Sequence, residues 1–257
     1  ATSGVLSIVW GVVHGADDGW TSGGVLGTLI AGGALLAAFL AWERRTDAPM
    51  LPLRLFSVRS FSVVNVVAFT FAVGVFGSVF LLAQFFQVVQ GYTPFQSGVR
   101  TLPWTAAPLV VAPIAGLIVD RVGARTLIVI GQAFLATALG WIALITTATT
   151  QYGDMVAPFV LAGVGMGLTF APSASVVMDG ASEADRGVAS GTNNTIREVG
   201  VAMGVAILAS VFASAGSYAS PTEFAAGIVP AVWTGAAVVA AGTFVALLLP
   251  GRRRSTV

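Results

Sequence analysis

The segment GLIVDRVGAR, residues 116–125, ends a long apolar run with one acid and two arginines. Charge is scarce in this chain of 257 residues, of which 56% are hydrophobic and 9% are charged. Soluble domains carry about 25% charged residues. A lipid bilayer is the environment that suits this composition, and Asp120 lies where a helix would leave the membrane.

Seven full-length candidate membrane helices follow a shorter one at the start of the chain. A helix needs roughly 20 mainly apolar residues to cross a hydrocarbon core about 30 Å thick. The runs lack the ten-residue alternation of barrel strands. The sequence therefore predicts an all-α polytopic membrane protein with eight transmembrane helices. The predicted spans are 1–16, 22–42, 61–90, 96–119, 126–148, 156–177, 187–213 and 224–249.

The distribution of arginine predicts the orientation of these helices, because cytoplasmic loops carry an excess of basic residues. If the first helix starts in the cytoplasm, only Arg100 falls near the outer face. Both chain ends are then cytoplasmic. The ten arginines on the cytoplasmic side are Arg44, Arg45, Arg54, Arg59, Arg121, Arg125, Arg186, Arg252, Arg253 and Arg254.

The connection ERRTDAPMLPLRLFSVR, residues 43–59, is the one substantial cytoplasmic connection. Its leucines and Phe56 among prolines and arginines favour a strip that lies in the headgroup layer. A solvated linker is the alternative. The chain opens without Met and without a signal peptide, so we expect it to be part of a longer protein.

Composition excludes several other functions. The net charge is +1, and no basic patch remains once the arginines are assigned, so no nucleic-acid partner is expected. The chain has no Cys, hence neither a disulfide framework nor a thiolate metal site. No metal-ligand cluster, cofactor site or catalytic nucleophile–His pair is visible in the sequence.

Asp120 lies at the carboxyl end of its predicted helix, where the helix dipole disfavours an acid. Arg121, Arg125 or the amino terminus of another helix must offset it. Gly116, one turn earlier, allows close approach of a neighbour, and Gly123 allows a tight reversal into the next helix.

The spacing G-x-x-x-D-R-x-G-x-R resembles the loop signature of the major facilitator superfamily, although Ala124 stands where that family often has a basic residue. The resemblance implies that the loop residues form a conformational latch between two six-helix halves on the cytoplasmic side. The partner of Asp120 would then lie in an N-terminal half outside this chain. The residues of this implied latch are Gly116, Asp120, Arg121, Gly123 and Arg125.

Further motifs narrow the resemblance to the fourteen-helix drug:proton antiporters of the EmrB/QacA type. The motifs are PMLPLRLFSVRSF, FFQVVQGYTPFQSGVRTLP, GVGMGL and ASGTNNTIREVGVAMGVAI. The resemblance implies four parts: two linking helices in 1–42, a cytoplasmic surface linker in 43–60, the C-terminal six-helix half in 61–250 and a basic cytoplasmic tail in 251–257.

The predicted span 187–213 carries most of the polar residues. Ser182 and Asp185 fit a capping box before it. Arg197 lies about 15 Å along the helix, near the midplane, where an ionisable residue indicates function. The stripe Asn193, Arg197, Gly200 and Gly204 shares one face, suited to a cavity or a close helix contact. We expect this face to meet the missing N-terminal half.

Other polar residues leave alternatives open. Glu198 lies about 100° around the helix from Arg197 and need not pair with it; it could carry protons or have a structural role. Asn194, Gln84, Gln87 and Asn65 could line a transport cavity, and the last three could instead bond across helices. Three glycines, Gly163, Gly165 and Gly167, favour close helix packing over a nucleotide loop.

Three classes of function remain. An ion channel requires charged rings or a filter, and a membrane-embedded enzyme requires a catalytic constellation; neither is visible. The sequence favours a secondary transporter. The resemblance implies proton-coupled export of drug-like or amphipathic small molecules by alternating access, in the plasma membrane. Its partners would be the bilayer, protons, the substrate and the missing N-terminal half.

Overall fold

The computed structural model describes residues 2–46, 51 and 53–251, and this part of the chain is helical. Two short 3₁₀ turns, Leu53–Ser57 and Glu183–Asp185, precede the helices that begin at Arg59 and Arg186. The α-helices are α1 Thr2–Asp18, α2 Gly23–Glu43, α3 Arg59–Val88, α4 Pro94–Arg100, α5 Leu102–Val122, α6 Ala124–Ile145, α7 Tyr152–Asp179, α8 Arg186–Ala215 and α9 Pro221–Ala246.

Seven of the described helices are long and apolar enough to cross a membrane, and α1 is a shorter apolar helix. This confirms the prediction of an all-α polytopic membrane protein with seven full-length candidates after a truncated one. The predicted tail 251–257 lies outside the described residues, except for Gly251, as do residues 47–50 and 52 of the linker.

The predicted span 96–119 does not form one helix. Thr93 and Gln96 form a reciprocal capping box at the start of α4. The chain then turns at Thr101, because Pro103 has no N–H to donate to the carbonyl of Val99. Arg100 closes the short helix, with its guanidinium 3.5 Å from the ring centre of Tyr92.

Helix contacts divide the chain into a six-helix bundle and a pair of helices beside it. In the bundle α3 packs on α8 and α9, while α7 packs on α5 and α6. Helices α1 and α2 pack on each other, and α1 contacts α8. The larger apolar core lies between α3, α6, α7, α8 and α9, and includes Phe71, Phe85, Leu139, Phe159 and Phe224.

Close approach of α7 to its neighbours depends on glycine, which confirms the packing prediction for residues 163, 165 and 167. A Cβ on Gly163 would lie 2.5 Å from the Trp104 carbonyl oxygen of α5. A Cβ on Gly165 would lie 2.6 Å from the Gly131 carbonyl oxygen of α6. Small residues at such contacts let membrane helices approach closely.

The described part of the linker packs on the protein. Leu55 is buried in a second apolar cluster with Phe61, Val64 and Val177. Ser62 donates a hydrogen bond to the Phe56 carbonyl. The turn Leu53–Ser57 is therefore held against the ends of α3 and α7.

Candidate functional site

A cavity of about 150 Å³ lies between α3, α7 and α8. The first halves of α3 and α8 and the second half of α7 enclose it. We call it the α3–α7–α8 cavity. Its polar lining residues are Thr169, Ser173, Ser190, Asn193, Asn194 and Arg197. Its apolar lining residues are Ala68, Phe71, Phe170, Ala174, Val177 and Met178.

Arg197 is the charged residue in this lining. It lies 11 residues after the first residue of α8, about 16 Å along the helix at 1.5 Å per residue. Its guanidinium carbon lies 5.4 Å from the ring centre of Phe170, within the range of a cation–π contact. One terminal nitrogen, Nη2, donates to the Asn194 side-chain oxygen.

Glu198 pairs with Arg197, contrary to the expectation that neighbours 100° apart need not meet. Arg197 Nη2 lies 3.4 Å from Glu198 Oε1. The two long side chains extend sideways and span the angle between their positions on the helix. The Glu198 side chain is 60% exposed and the Arg197 side chain 27%, so the pair is only partly shielded and its net stabilisation is small.

Asn193 connects α8 to α3. Its amide nitrogen donates to Asn65 Oδ1 at 3.1 Å, and Asn65 in turn donates to the Phe61 carbonyl at 2.8 Å. Asn65 is buried. The chain of bonds satisfies two polar side chains within the apolar bundle, and it fixes the Asn193 wall of the cavity.

The glycines of the predicted stripe face α3 and not a missing half. A Cβ on Gly200 would lie 2.9 Å from Ala72 Cβ, and one on Gly204 would lie 2.7 Å from Val73 Cα. The prediction that these two glycines meet the N-terminal half is therefore wrong. Small residues on both helices bring α3 and α8 together here, which leaves Asn193 and Arg197 to line the cavity.

Gln84 and Gln87 lie in the last two turns of α3, away from the α3–α7–α8 cavity. Tyr218, in the connection between α8 and α9, donates to Gln84 Oε1 at 2.5 Å. Partial burial raises the pKa of the Tyr218 phenol above its ordinary value. The exposed Gln87 donates to the Ala83 carbonyl of its own helix.

The implied latch lies at the α5–α6 connection. Gly123 ends α5 with a φ of 92°, a conformation that favours glycine, and α6 begins at the next residue. Arg121 is in the last turn of α5, and Asp120 and Arg125 are exposed. Asp120 forms no hydrogen bond or ion pair with the described residues. No neighbour approaches Gly116 in the described structure, and a Cβ there would meet open space.

The predicted capping box at Ser182 is wrong. Ser182 Oγ donates to Asp185 Oδ2 at 2.6 Å and does not cap a backbone N–H. Arg54 Nη2 contacts the same carboxylate at 2.8 Å. Both donors engage the Asp185 carboxylate, and α8 begins only at Arg186, after a 3₁₀ turn.

The α7 wall of the cavity was not predicted from the sequence. Thr169 and Ser173 are buried there, and the Ser173 hydroxyl forms no hydrogen bond within the part of the chain that the structure describes. Their i, i+4 spacing in an apolar helix is a signal that could have found them, because it puts two hydroxyls on one face.

These features define the class of the protein, a polytopic membrane protein with a polar cavity inside its helical bundle. A family model, the Major Facilitator Superfamily, matches residues 1–205. The chain belongs to this superfamily.

Several relatives carry names that refer to resistance or export. The chain is 34% identical over 210 residues to the multidrug resistance protein Stp of Mycobacterium tuberculosis, which covers 82% of this chain and 39% of Stp. It is 33% identical over 258 residues to the cephamycin export protein CmcT of Amycolatopsis lactamdurans, covering 100% of this chain and 53% of CmcT. It is 32% identical over 242 residues to the multidrug efflux pump LfrA of Mycolicibacterium smegmatis, and the match covers 93% of this chain and 46% of LfrA. The chain thus spans about half or less of the length of these relatives.

Proposed function

We propose that this chain is the C-terminal part of a fourteen-helix drug:proton antiporter that exports small molecules by alternating access. The relatives named for cephamycin export and for multidrug efflux support export. The observation that carries the proposal is the α3–α7–α8 cavity, which is lined by a membrane-depth arginine, five amide or hydroxyl side chains and two phenylalanines. Ionisable residues at such depth commonly belong to substrate or ion pathways.

In this proposal residues 1–42 are the two linking helices, 43–60 the surface linker, 61–250 the C-terminal half and 251–257 the tail. Alternating access moves one bundle against the other around a site between them. The partner bundle is the missing N-terminal half. The exposed side of α5 supports this, because Leu109 and Leu117 are 77% and 80% exposed there.

We assign the latch to Gly116, Asp120, Arg121, Gly123 and Arg125. An exposed acid at the unfavourable end of its helix, with open space above Gly116 one turn earlier, supports a partner outside this chain. The transport cavity is assigned to Asn193, Asn194 and Arg197, with Glu198 as the partly exposed counter-ion of Arg197.

Gln84 and Gln87 belong to the opposite end of the bundle in this assignment. The bond from Tyr218 supports a role for Gln84 in holding the α8–α9 connection on α3. Because Glu198 is assigned as the counter-ion of Arg197, we expect the carboxylate that couples transport to protons in the N-terminal half.

We propose that both chain ends are cytoplasmic and that the protein lies in the plasma membrane, which the ten-to-one arginine distribution supports. Cysteines at Asp154 and Glu183, both exposed and near opposite ends of α7, test this in a Cys-free version of the full-length protein. Only the cysteine at position 154 should react with an impermeant maleimide in intact cells. Labelling of position 183 alone would show that the protein has the opposite orientation in the membrane.

Reconstitution in proteoliposomes tests the transport activity. An imposed pH gradient should drive substrate flux through the full-length protein, and a protonophore should abolish it. The isolated chain should show no flux, because one bundle cannot alternate without its partner. Flux that survives the protonophore would contradict proton coupling, and gradient-driven flux by the isolated chain would contradict the need for a second half.

A further inference from the structure

The charge in the α3–α7–α8 cavity has one sign. Among the described residues that line the cavity, Arg197 is the ionisable one, and no carboxylate belongs to the lining. Glu198 contacts Arg197 from outside the lining, on a side chain that is 60% exposed. The lining itself therefore carries one positive charge, which Glu198 balances in part from outside the cavity.

Part of the Arg197 guanidinium forms no hydrogen bond with the described residues. Arginine carries five N–H donors. Its hydrogen bonds with described residues, to Asn194 and Glu198, both start from Nη2. Donors on Nη1 and Nε remain for a ligand, and each can give a charge-assisted hydrogen bond to an anionic acceptor.

Ser173 supplies a second donor from the opposite wall. The residue is buried, 9% exposed, and its Oγ has no hydrogen-bond partner among the described residues. A buried hydroxyl without a partner costs free energy that a bound acceptor would recover. Its neighbour Thr169 already donates to the Gly165 carbonyl, and Asn193 already donates to Asn65.

An aromatic wall lies beside these donors. The rings of Phe71 and Phe170 pack edge to face with centres 5.1 Å apart. An apolar cavity of about 150 Å³ accommodates one benzene-sized molecule, and this cavity has about that volume. The site thus combines space for one ring with donors for an acidic substituent.

We infer that the α3–α7–α8 cavity binds an aromatic group that carries an anionic or acceptor substituent, in preference to an organic cation, with Arg197 as its anchor. The inference rests on the proposed function, in which this cavity lies on the substrate path. Ser173 donates to the same substituent, and Phe71 and Phe170 contact the ring. Glu198 weakens the attraction, since it neutralises part of the charge on Arg197.

Three ligands of equal size and different charge test this on the purified full-length protein: benzoate, benzamide and benzamidine. Saturation-transfer NMR titrations give their dissociation constants. Benzoate should bind about tenfold more tightly than benzamidine, the difference expected from charge-assisted hydrogen bonds. Equal binding, or tighter binding of benzamidine, by the unmodified protein would overturn the inference without any substitution.

Substitutions then identify the anchor. Arg197→Gln should remove the preference for benzoate, Ser173→Ala should weaken benzoate more than benzamidine, and Glu198→Gln should strengthen benzoate. Arg45→Gln is the matched control, because Arg45 is exposed beyond the end of α2, and it should leave all three constants unchanged. A benzoate preference that persists in Arg197→Gln would overturn the role of Arg197.

Gradient-driven flux of the same three compounds, measured on the same preparation, separates this inference from the proposed function. Flux without a benzoate preference refutes the inference alone. A benzoate preference without any proton-driven flux supports the binding site and refutes the proposed transport mechanism.

Discussion

Arg54 and Asp185, 131 residues apart in the chain, form a direct ion pair across the same end of the bundle. Arg54 Nη2 lies 2.9 Å from Oδ1 and 2.8 Å from Oδ2 of the carboxylate. The contact joins the turn that precedes α3 to the turn that precedes α8. Two helices that line the α3–α7–α8 cavity are thereby linked through the turns that precede them.

Reversing the charge of Arg54 is expected to destabilise this end of the bundle. Arg54→Glu places two carboxylates together and should lower the thermal unfolding midpoint in detergent by a few degrees, a modest effect because the Arg54 side chain is 73% exposed. Arg54→Glu combined with Asp185→Arg should recover part of the loss. Arg45→Glu is the control, and an equal loss there would show a nonspecific charge effect.

The ion pair also predicts a pH dependence. Hydrogen bonds from Ser182 and then Arg54 hold the pKa of the Asp185 carboxyl below its ordinary value of 3.8. A lowered pKa in the folded state stabilises the protein above the ordinary value, and this stabilisation is lost as the pH falls through the lowered pKa. The difference in unfolding midpoint between the unmodified protein and Asp185→Asn should therefore be constant from pH 7 to about pH 5. It should become smaller as the pH falls below about 4. A difference that grows in acid would contradict the assignment.

Gly204→Ala tests the contact between α8 and α3. The added Cβ would meet the backbone of Val73, which cannot move aside as a side chain can. We expect a destabilisation of about 1–3 kcal/mol, the usual cost of overpacking. Gly191→Ala in the same helix is the matched control, because a Cβ there meets open space. Chemical unfolding in mild detergent measures both, and equal stability of the two variants would contradict the packing.

Asp120→Asn tests the latch in the full-length protein. If Asp120 pairs with the N-terminal half, the neutral amide should slow the exchange between inward-open and outward-open states and leave substrate affinity nearly unchanged. Single-molecule fluorescence between labels on the two halves measures the exchange, and equilibrium binding measures the affinity. Reduced affinity with unchanged exchange rates would place Asp120 in substrate binding instead.

Several features could be predicted from the sequence because the bilayer constrains each helix separately. Every backbone group in a membrane must be bonded within its own helix, so length and apolar content were sufficient to predict seven long helices and a shorter first one. Gly123 was predictable as the reversal between α5 and α6 because the constraint acts on a single residue. The break at Thr101 was missed, although Pro103 is visible in the sequence, because prolines are often accommodated within membrane helices.

Only the tertiary structure decided which helix faces meet and which partners the polar side chains take. Periodicity put Asn193, Arg197, Gly200 and Gly204 on one face, but α3 covers the two glycines and leaves the polar pair in the cavity. The sequence alone determined that the chain is helical and membrane-spanning, because apolar composition and helix length are local properties. The Arg54–Asp185 pair and the Asn193–Asn65 bond join residues more than a hundred positions apart, and the α3–α7–α8 cavity is lined by three separate helices. The distances between these residues are set only when the whole bundle packs.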